Sequence, residues 1–202
     1  MSTYKTISKD AEGLYKEKGS KFIAYASRVE NEEEAKSFLE RIKKEHNSAR
    51  HHCYAYRFGA SGDLYRANDD GEPGNTAGKP ILGQLLSYEV SDVMLIVVRY
   101  FGGTKLGASG LITAYKSAAA DALSHADIIE ITEQTKFIVE FNYALTGDVM
   151  RFLSSVEGQI VDEEHGEKYE LTFSVPLDDK NKVEKLWNSN HNLNTNCKLL
   201  NT

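Results

Sequence analysis

The chain has 202 residues, 41% hydrophobic and 27% charged, which is ordinary globular composition and enough for one large domain or two small ones. No run of about 18 apolar residues occurs, which excludes a membrane-spanning helix, and residues 1–7 lack the apolar core of a signal peptide. The net charge of −6 argues against a general nucleic-acid coat, yet residues 1–125 carry 17 Lys/Arg against 16 Asp/Glu while residues 126–202 carry 7 against 14, so the first part is free to present a local basic surface.

The two cysteines, Cys53 and Cys197, lie far apart and make no disulfide framework. A reduced, cytoplasmic protein is expected. Residues 14–27 read as a basic loop, with Lys16, Lys18 and Lys21, leading into a strand around Phe22–Ile23–Ala24–Tyr25. Residues 32–45 read as a helix. Asn31 is its expected N-cap, and Glu32, Glu33 and Glu34 suit the positive end of the dipole. Ala35, Phe38, Leu39 and Ile42 recur at helical spacing and give one apolar face.

Residues 51–58 alternate as an aromatic strand. Period two puts His51, Cys53, Ala55 and Arg57 on one face and His52, Tyr54, Tyr56 and Phe58 on the other, the aromatic face being core. Residues 60–63 read as a hairpin turn and 64–67 as the returning strand. Residues 68–78 form a polar loop; its acidic part, Asp69–Asp70–Gly71–Glu72, offers oxygens to a divalent cation but lacks the full ligand pattern of a calcium loop, and reads rather as a solvated turn. A helix follows with Pro80 in its first turn and Ile81, Leu82, Leu85 and Leu86 on its buried side. Residues 93–98 are a fully buried strand, and residues 112–123 an alanine-rich helix.

From residue 130 the pattern restarts as strand 135–143, helix 144–156, strands 159–164 and 168–175, helix 178–190 with Val183, Leu186 and Trp187 inward, and a final strand at 196–200. The order β-α-β-β-α-β is ferredoxin-like. Two domains are expected, residues 1–130 and 131–202.

Chemistry concentrates where the buried strand meets the next helix. Arg99, Gly102, Gly103, Lys105 and Gly107 stand in a glycine-rich turn. Glycines permit positive φ and close approach, and free N–H groups at a helix start attract anions. The turn fits neither a Walker A loop nor G-x-G-x-x-G. A charge at the end of a buried strand needs a partner, so Arg99 reads either as an anion ligand or as one half of an internal salt bridge to Asp70 or Glu72. Lys79, at a helix start, is unfavourable for the dipole and reads as an anion contact. His51 with Cys53 reads as half of a zinc site, a nucleophilic pair or plain packing. No third member of either constellation is in view, and no catalytic residue, cofactor or metal is assigned.

Several strings stand together in order: Lys18–Gly19–Ser20–Lys21–Phe22–Ile23–Ala24, His51-x-Cys53–Tyr54–Ala55–Tyr56–Arg57, Asp69–Asp70–Gly71–Glu72–Pro73, Thr76–Ala77–Gly78–Lys79–Pro80, and Arg99–Tyr100–Phe101–Gly102–Gly103-x-x-Leu106–Gly107. On these the chain resembles the IMPACT family and its two-domain bacterial members of the YigZ type. Gly74–Asn75 stands where a Ser-Gly pair is common, and His52 where asparagine is common. The resemblance implies an α+β protein. Its first, α/β domain would be like the second domain of a small-subunit ribosomal protein and domain IV of elongation factor G. A ferredoxin-like domain similar to that factor's C-terminal domain would follow. The resemblance also implies a link to translation, ribosomes or RNA, with no catalytic residues to carry over.

The leading expectation is therefore a non-enzymatic, translation-associated regulator that binds RNA, the ribosome or a translation factor. Its surface would hold Arg99, Lys105, Lys79, Arg57 and Lys21. The alternative is an enzyme or switch for a small phosphorylated ligand, using the glycine turn, the loop of Asp70 and Glu72, and His51. A protein-only adaptor is the third reading.

Overall fold

The computed structural model describes residues 3–201. It is mixed α+β and divides into two compact units, Tyr4–Ile131 and a second that runs from Thr132 onward and takes in Thr3. The elements of the first are β1 (Thr3–Ile7), β2 (Ala11–Glu17), β3 (Ser20–Arg28), α1 (Glu32–Glu45), β4 (His51–Phe58), β5 (Leu64–Asn68), α2 (Gly78–Ser87), β6 (Val93–Tyr100), α3 (Gly107–Ser124) and β7 (Ile128–Thr132). Five strands form one sheet in the order β2-β3-β6-β4-β5, every neighbouring pair antiparallel. β1 and β7 form a separate two-stranded ribbon.

β6 lies at the centre and is buried on both faces. Val93, Leu95 and Val97 pack under α2 and α3, among Ile81, Leu85, Leu111 and Tyr115. Met94, Ile96 and Val98 pack under α1, against Phe38, Ile42, Tyr56 and Phe58. Each such side chain removed from water contributes about 1.5–3 kcal/mol, which explains why this run carries no polar residue before Arg99. The alternation of β4 is as expected, with Tyr56 and Phe58 stacked at 4.4 Å on the α1 side and Cys53 and Ala55 on the other. Asn31 caps α1, its side chain accepting from the Glu34 N–H at 2.9 Å. The Glu34 carboxylate accepts in return from the Asn31 side-chain amide at 2.7 Å and from the Glu30 backbone N–H at 2.9 Å, which ties the helix start to the residues before it.

The second unit comprises β8 (Gln134–Phe141), α4 (Thr146–Ser155), β9 (Gln159–His165), β10 (Tyr169–Pro176), α5 (Lys180–Ser189), α6 (His191–Asn196) and β11 (Lys198–Asn201). Its sheet order β11-β8-β10-β9, all antiparallel, is that of the ferredoxin-like βαββαβ arrangement. Phe137, Val139, Leu171 and Phe173 of the sheet meet Val149, Phe152, Val183 and Trp187 of the helices.

Several expectations are corrected. The strand expected around Phe22–Tyr25 is β3, but the basic residues before it are not a loop: they form β2 and the turn of a β2–β3 hairpin, closed by Lys18 and Gly19 at φ 45° and 80°. Positive φ at both central positions is the turn whose twist matches the strands it joins. α3 begins at Gly107 rather than near residue 112, so the last glycine of the turn already opens the helix. Leu86 is 52% exposed and Leu186 38%. Each lies one residue, hence about 100° of helix, from the side chains that do point inward, Leu85 and Trp187.

Candidate functional site

β3 starts, β4 starts and β6 ends at one end of the first sheet, because Lys21 pairs with Tyr100 and His51 with Arg99. The loop after β5 and the starts of α2 and α3 close over the same end. This brings together the hairpin tip, the acidic loop and the glycine turn.

Arg99 is inside. Its side chain is 8% exposed and that of Glu72 4%, with the guanidinium Nη1 donating to Glu72 Oε1 at 2.5 Å. The Tyr115 hydroxyl donates to the same oxygen at 2.8 Å. Burial and the neighbouring Cys53 and Glu72 push the Tyr115 phenol far above its usual range, so it stays a donor. Arg99 Nε, also buried, has no partner among the described residues. The guanidinium carbon lies 5.5 Å from the ring centres of both Phe22 and Phe101, so the charge is within cation–π range of two aromatic rings.

The rest of the acidic loop is equally committed. Asp69 accepts from the backbone N–H of Asn75 (2.9 Å), Ala77 (2.9 Å) and Gly78 (2.8 Å), the last two opening α2. Asp70 accepts from the His52 N–H at 2.6 Å. His51 Nδ1 lies 2.8 Å from the Asp70 carbonyl, and Cys53 donates its thiol proton to the Asp69 carbonyl at 3.0 Å. The loop is thus no solvated turn. It is an internal cap that offers N–H groups an anion where α2 has no side-chain cap of its own. Burial raises the Cys53 thiol above its usual range, and the residue is fully buried, which makes it an inert packing group.

Burial alone would raise the Asp69 carboxyl, but the three backbone N–H groups outweigh it and leave it lowered. A carboxylate with a lowered folded value stabilises the fold above its unfolded value, near 3.8. That contribution is lost as pH falls through the folded value. We expect Asp69→Asn to lower stability near neutral pH by about 1 kcal/mol. It should also flatten the acid limb of the stability curve below about pH 4 relative to the parent. Chemical denaturation at pH 3 to 7 measures this, and parallel curves would contradict it.

The glycine turn is seated by close backbone contact. A Cβ at Gly102 would lie 1.9 Å from the Gly19 carbonyl carbon and 2.2 Å from the Ser20 nitrogen. The Gly102 N–H donates to Ser20 Oγ at 3.0 Å. Gly103 and Gly107 take φ of 91° and 72° with nothing within 4 Å of a would-be Cβ. Their surroundings are open, and α3 starts without a side-chain cap.

The charges of the first unit are unevenly paired. At the opposite end of the sheet, Arg28 pairs with Glu30, Lys5 with Glu89 and Arg41 with Asp10, while Lys9 forms no ion pair among the described residues. At the glycine-turn end, Lys16, Lys18, Lys21, Arg50, Lys79 and Lys105 are exposed and none forms an ion pair among the described residues. Of the expected surface, Lys21, Lys79, Lys105, Gly102, Gly103 and Gly107 therefore share one end. His51 lies beneath them and is half-buried.

Two residues of that expected surface are corrected. Arg99 is a core ion pair, the internal reading realised with Glu72. Arg57 sits six residues along β4, about 20 Å away, donating to the carbonyls of Gly62, Ser61 and Val90. Sequence reasoning missed Arg50, Tyr115 and Ser20. The Lys18–Gly19 dipeptide between alternating segments was the available signal for the hairpin that positions Ser20.

Residues 18–123 match the Impact N-terminal domain, and residues 139–186 match a domain of unknown function, DUF1949. IMPACT family member YigZ of Escherichia coli (strain K12) is 35% identical over 161 residues, 79% of each chain. IMPACT family member YvyE of Bacillus subtilis (strain 168) is 42% identical over 130 residues, which span 64% of this chain and only 60% of that relative. A crystal structure described as that of a hypothetical protein superposes with a TM-score of 0.75 at 30% identity, covering 99% of this chain and 97% of the other. No helix among the described residues is long and apolar enough to cross a membrane.

Proposed function

The chain belongs to the IMPACT family, and from that premise we propose that it is a non-enzymatic regulator of translation that binds RNA on the ribosome through the basic end of its first unit. The observation that carries this reading is the hairpin tip. Lys16 and Lys21 stand directly opposite each other on β2 and β3, with Lys18 in the turn between them. Like charges in that position repel, and a polyanion relieves the repulsion. The carboxylate within the tip, Glu17, accepts from the Tyr15 hydroxyl at 3.3 Å. The acidic loop nearby is spent on Arg99, Tyr115 and backbone N–H groups. That commitment also weighs against an enzyme that would use Asp70 or Glu72 to hold a metal or move a proton.

Phosphate contacts release counterions, so binding weakens linearly on a log–log salt plot, by about 0.7–0.9 in slope per phosphate contact. Co-sedimentation of the protein with ribosomes across a salt series tests this, with a Lys18→Ala/Lys21→Ala/Lys105→Ala variant alongside. The variant should retain its fold, bind at least about tenfold more weakly at low salt and lose about two units of slope. Identical curves for variant and parent would refute the assignment of this surface.

A further inference from the structure

We infer that Phe101 is a stacking platform for an unpaired base, so that the basic end of the first unit is built for single-stranded RNA; this rests on the RNA-binding reading above. Phe101 is 56% exposed. Arg99 lies over its ring at 5.5 Å and is itself fixed by Glu72. The ring is therefore backed by a buried cation held in an ion pair, while more than half of the residue is open to solvent. The ring does not float on a loose loop, because the next residue, Gly102, is in backbone contact with Gly19. That contact sets Phe101 beside the Lys18–Lys21 tip, and Lys105 follows four residues on.

A rigid aromatic flanked by unpaired cations matches the two parts of a single-strand site, a π face for bases and charges for the backbone. A duplex offers phosphates but no free base face, so it would leave Phe101 unused. Gly103 and Gly107, with open space where side chains would be, let a sugar-phosphate chain pass close to the backbone N–H groups.

The test uses the full chain and fluorescence anisotropy of a labelled twelve-nucleotide oligouridylate, the same-length RNA duplex and oligothymidylate. Phe101→Ala should weaken oligouridylate binding by about tenfold, leave its salt slope unchanged, and leave duplex binding untouched. Phe101→Trp should restore affinity and show quenching of the new indole when RNA is added. Unchanged affinity in Phe101→Ala, with a slope that still falls in the lysine variant, would overturn the stacking role while sparing the basic surface. Tighter binding of the duplex or of oligothymidylate than of oligouridylate would overturn the choice of single-stranded RNA. No binding of any of these by the parent at low salt would overturn both readings together.

Discussion

Glu72→Ala is expected to destabilise the first unit by about 3–5 kcal/mol, the cost of removing one partner from a buried ion pair. The carboxylate is 4% exposed and holds two donors at once, the Arg99 guanidinium at 2.5 Å and the Tyr115 hydroxyl at 2.8 Å. Without it, a full positive charge stays in the core with no counterion. The Arg99 Nε is already unpartnered among the described residues, and the rings of Phe22 and Phe101 offer only the weaker cation–π attraction in exchange. The remaining donor, Tyr115, loses its acceptor as well. At about 2–4 °C per kcal/mol for a chain of this size, thermal melting should show a fall of about 10 °C.

Arg99→Ala leaves the complementary charge stranded and should behave alike, so an Arg99 variant reports on stability rather than on binding. The double replacement Arg99→Met/Glu72→Leu should recover much of the loss, because apolar residues of similar volume avoid the desolvation cost that the pair carries. A melting point within about 2 °C of the parent in Glu72→Ala would show that the pair is not dry.

Gly102→Ala is the second large effect, and it separates two reasons for glycine. Gly102 does not take a positive φ. Its demand is steric, since a methyl group there would lie 1.9 Å from Gly19 and 2.2 Å from Ser20, both backbone atoms that cannot rotate aside. The hairpin tip and the glycine turn would have to part, breaking the 3.0 Å bond from the Gly102 N–H to Ser20 Oγ. Overpacking of this kind costs about 1–3 kcal/mol and more where backbone must move. Gly103→Ala is the control. Gly103 sits at φ 91° with open space around it, so its cost is conformational strain of about 1–2 kcal/mol. Urea unfolding should rank Gly102→Ala as the less stable of the two. The same variant should lose RNA affinity, because Phe101 and Lys105 move with the turn. The reverse ranking would mean that the two loops are not in contact in solution.

Much of the architecture was legible because its causes are local. The cap at Asn31, the acidic first turn of α1 and the period-two pattern of β4 each depend on residues within a few positions of one another. The ferredoxin-like order of the second unit follows from the same short-range periodicities. The candidate site was legible only as a set of motifs, since which of them meet depends on strand order. Arg57 and Lys21 look alike in the sequence. Antiparallel pairing with β6 sends Arg57 toward Val93 and Lys21 toward Tyr100, at opposite ends of the sheet.

From the sequence by itself came the α+β class, the unbroken apolar strand that must be fully buried, the restart of the pattern near residue 130, and the need of Arg99 for a partner. These follow from side-chain hydrophobicity, helical and strand periods, and the cost of an unpaired buried charge. The tertiary structure alone decided that the partner is Glu72, 27 residues away. It decided too that Gly102 is glycine because Gly19 lies against it, and that the lysines of the glycine-turn end stand without carboxylates while Lys5, Arg28 and Arg41 at the other end are paired. Those outcomes are set by long-range strand pairing and by distances of a few ångströms between segments far apart in the chain. Composition and local period carry no record of either.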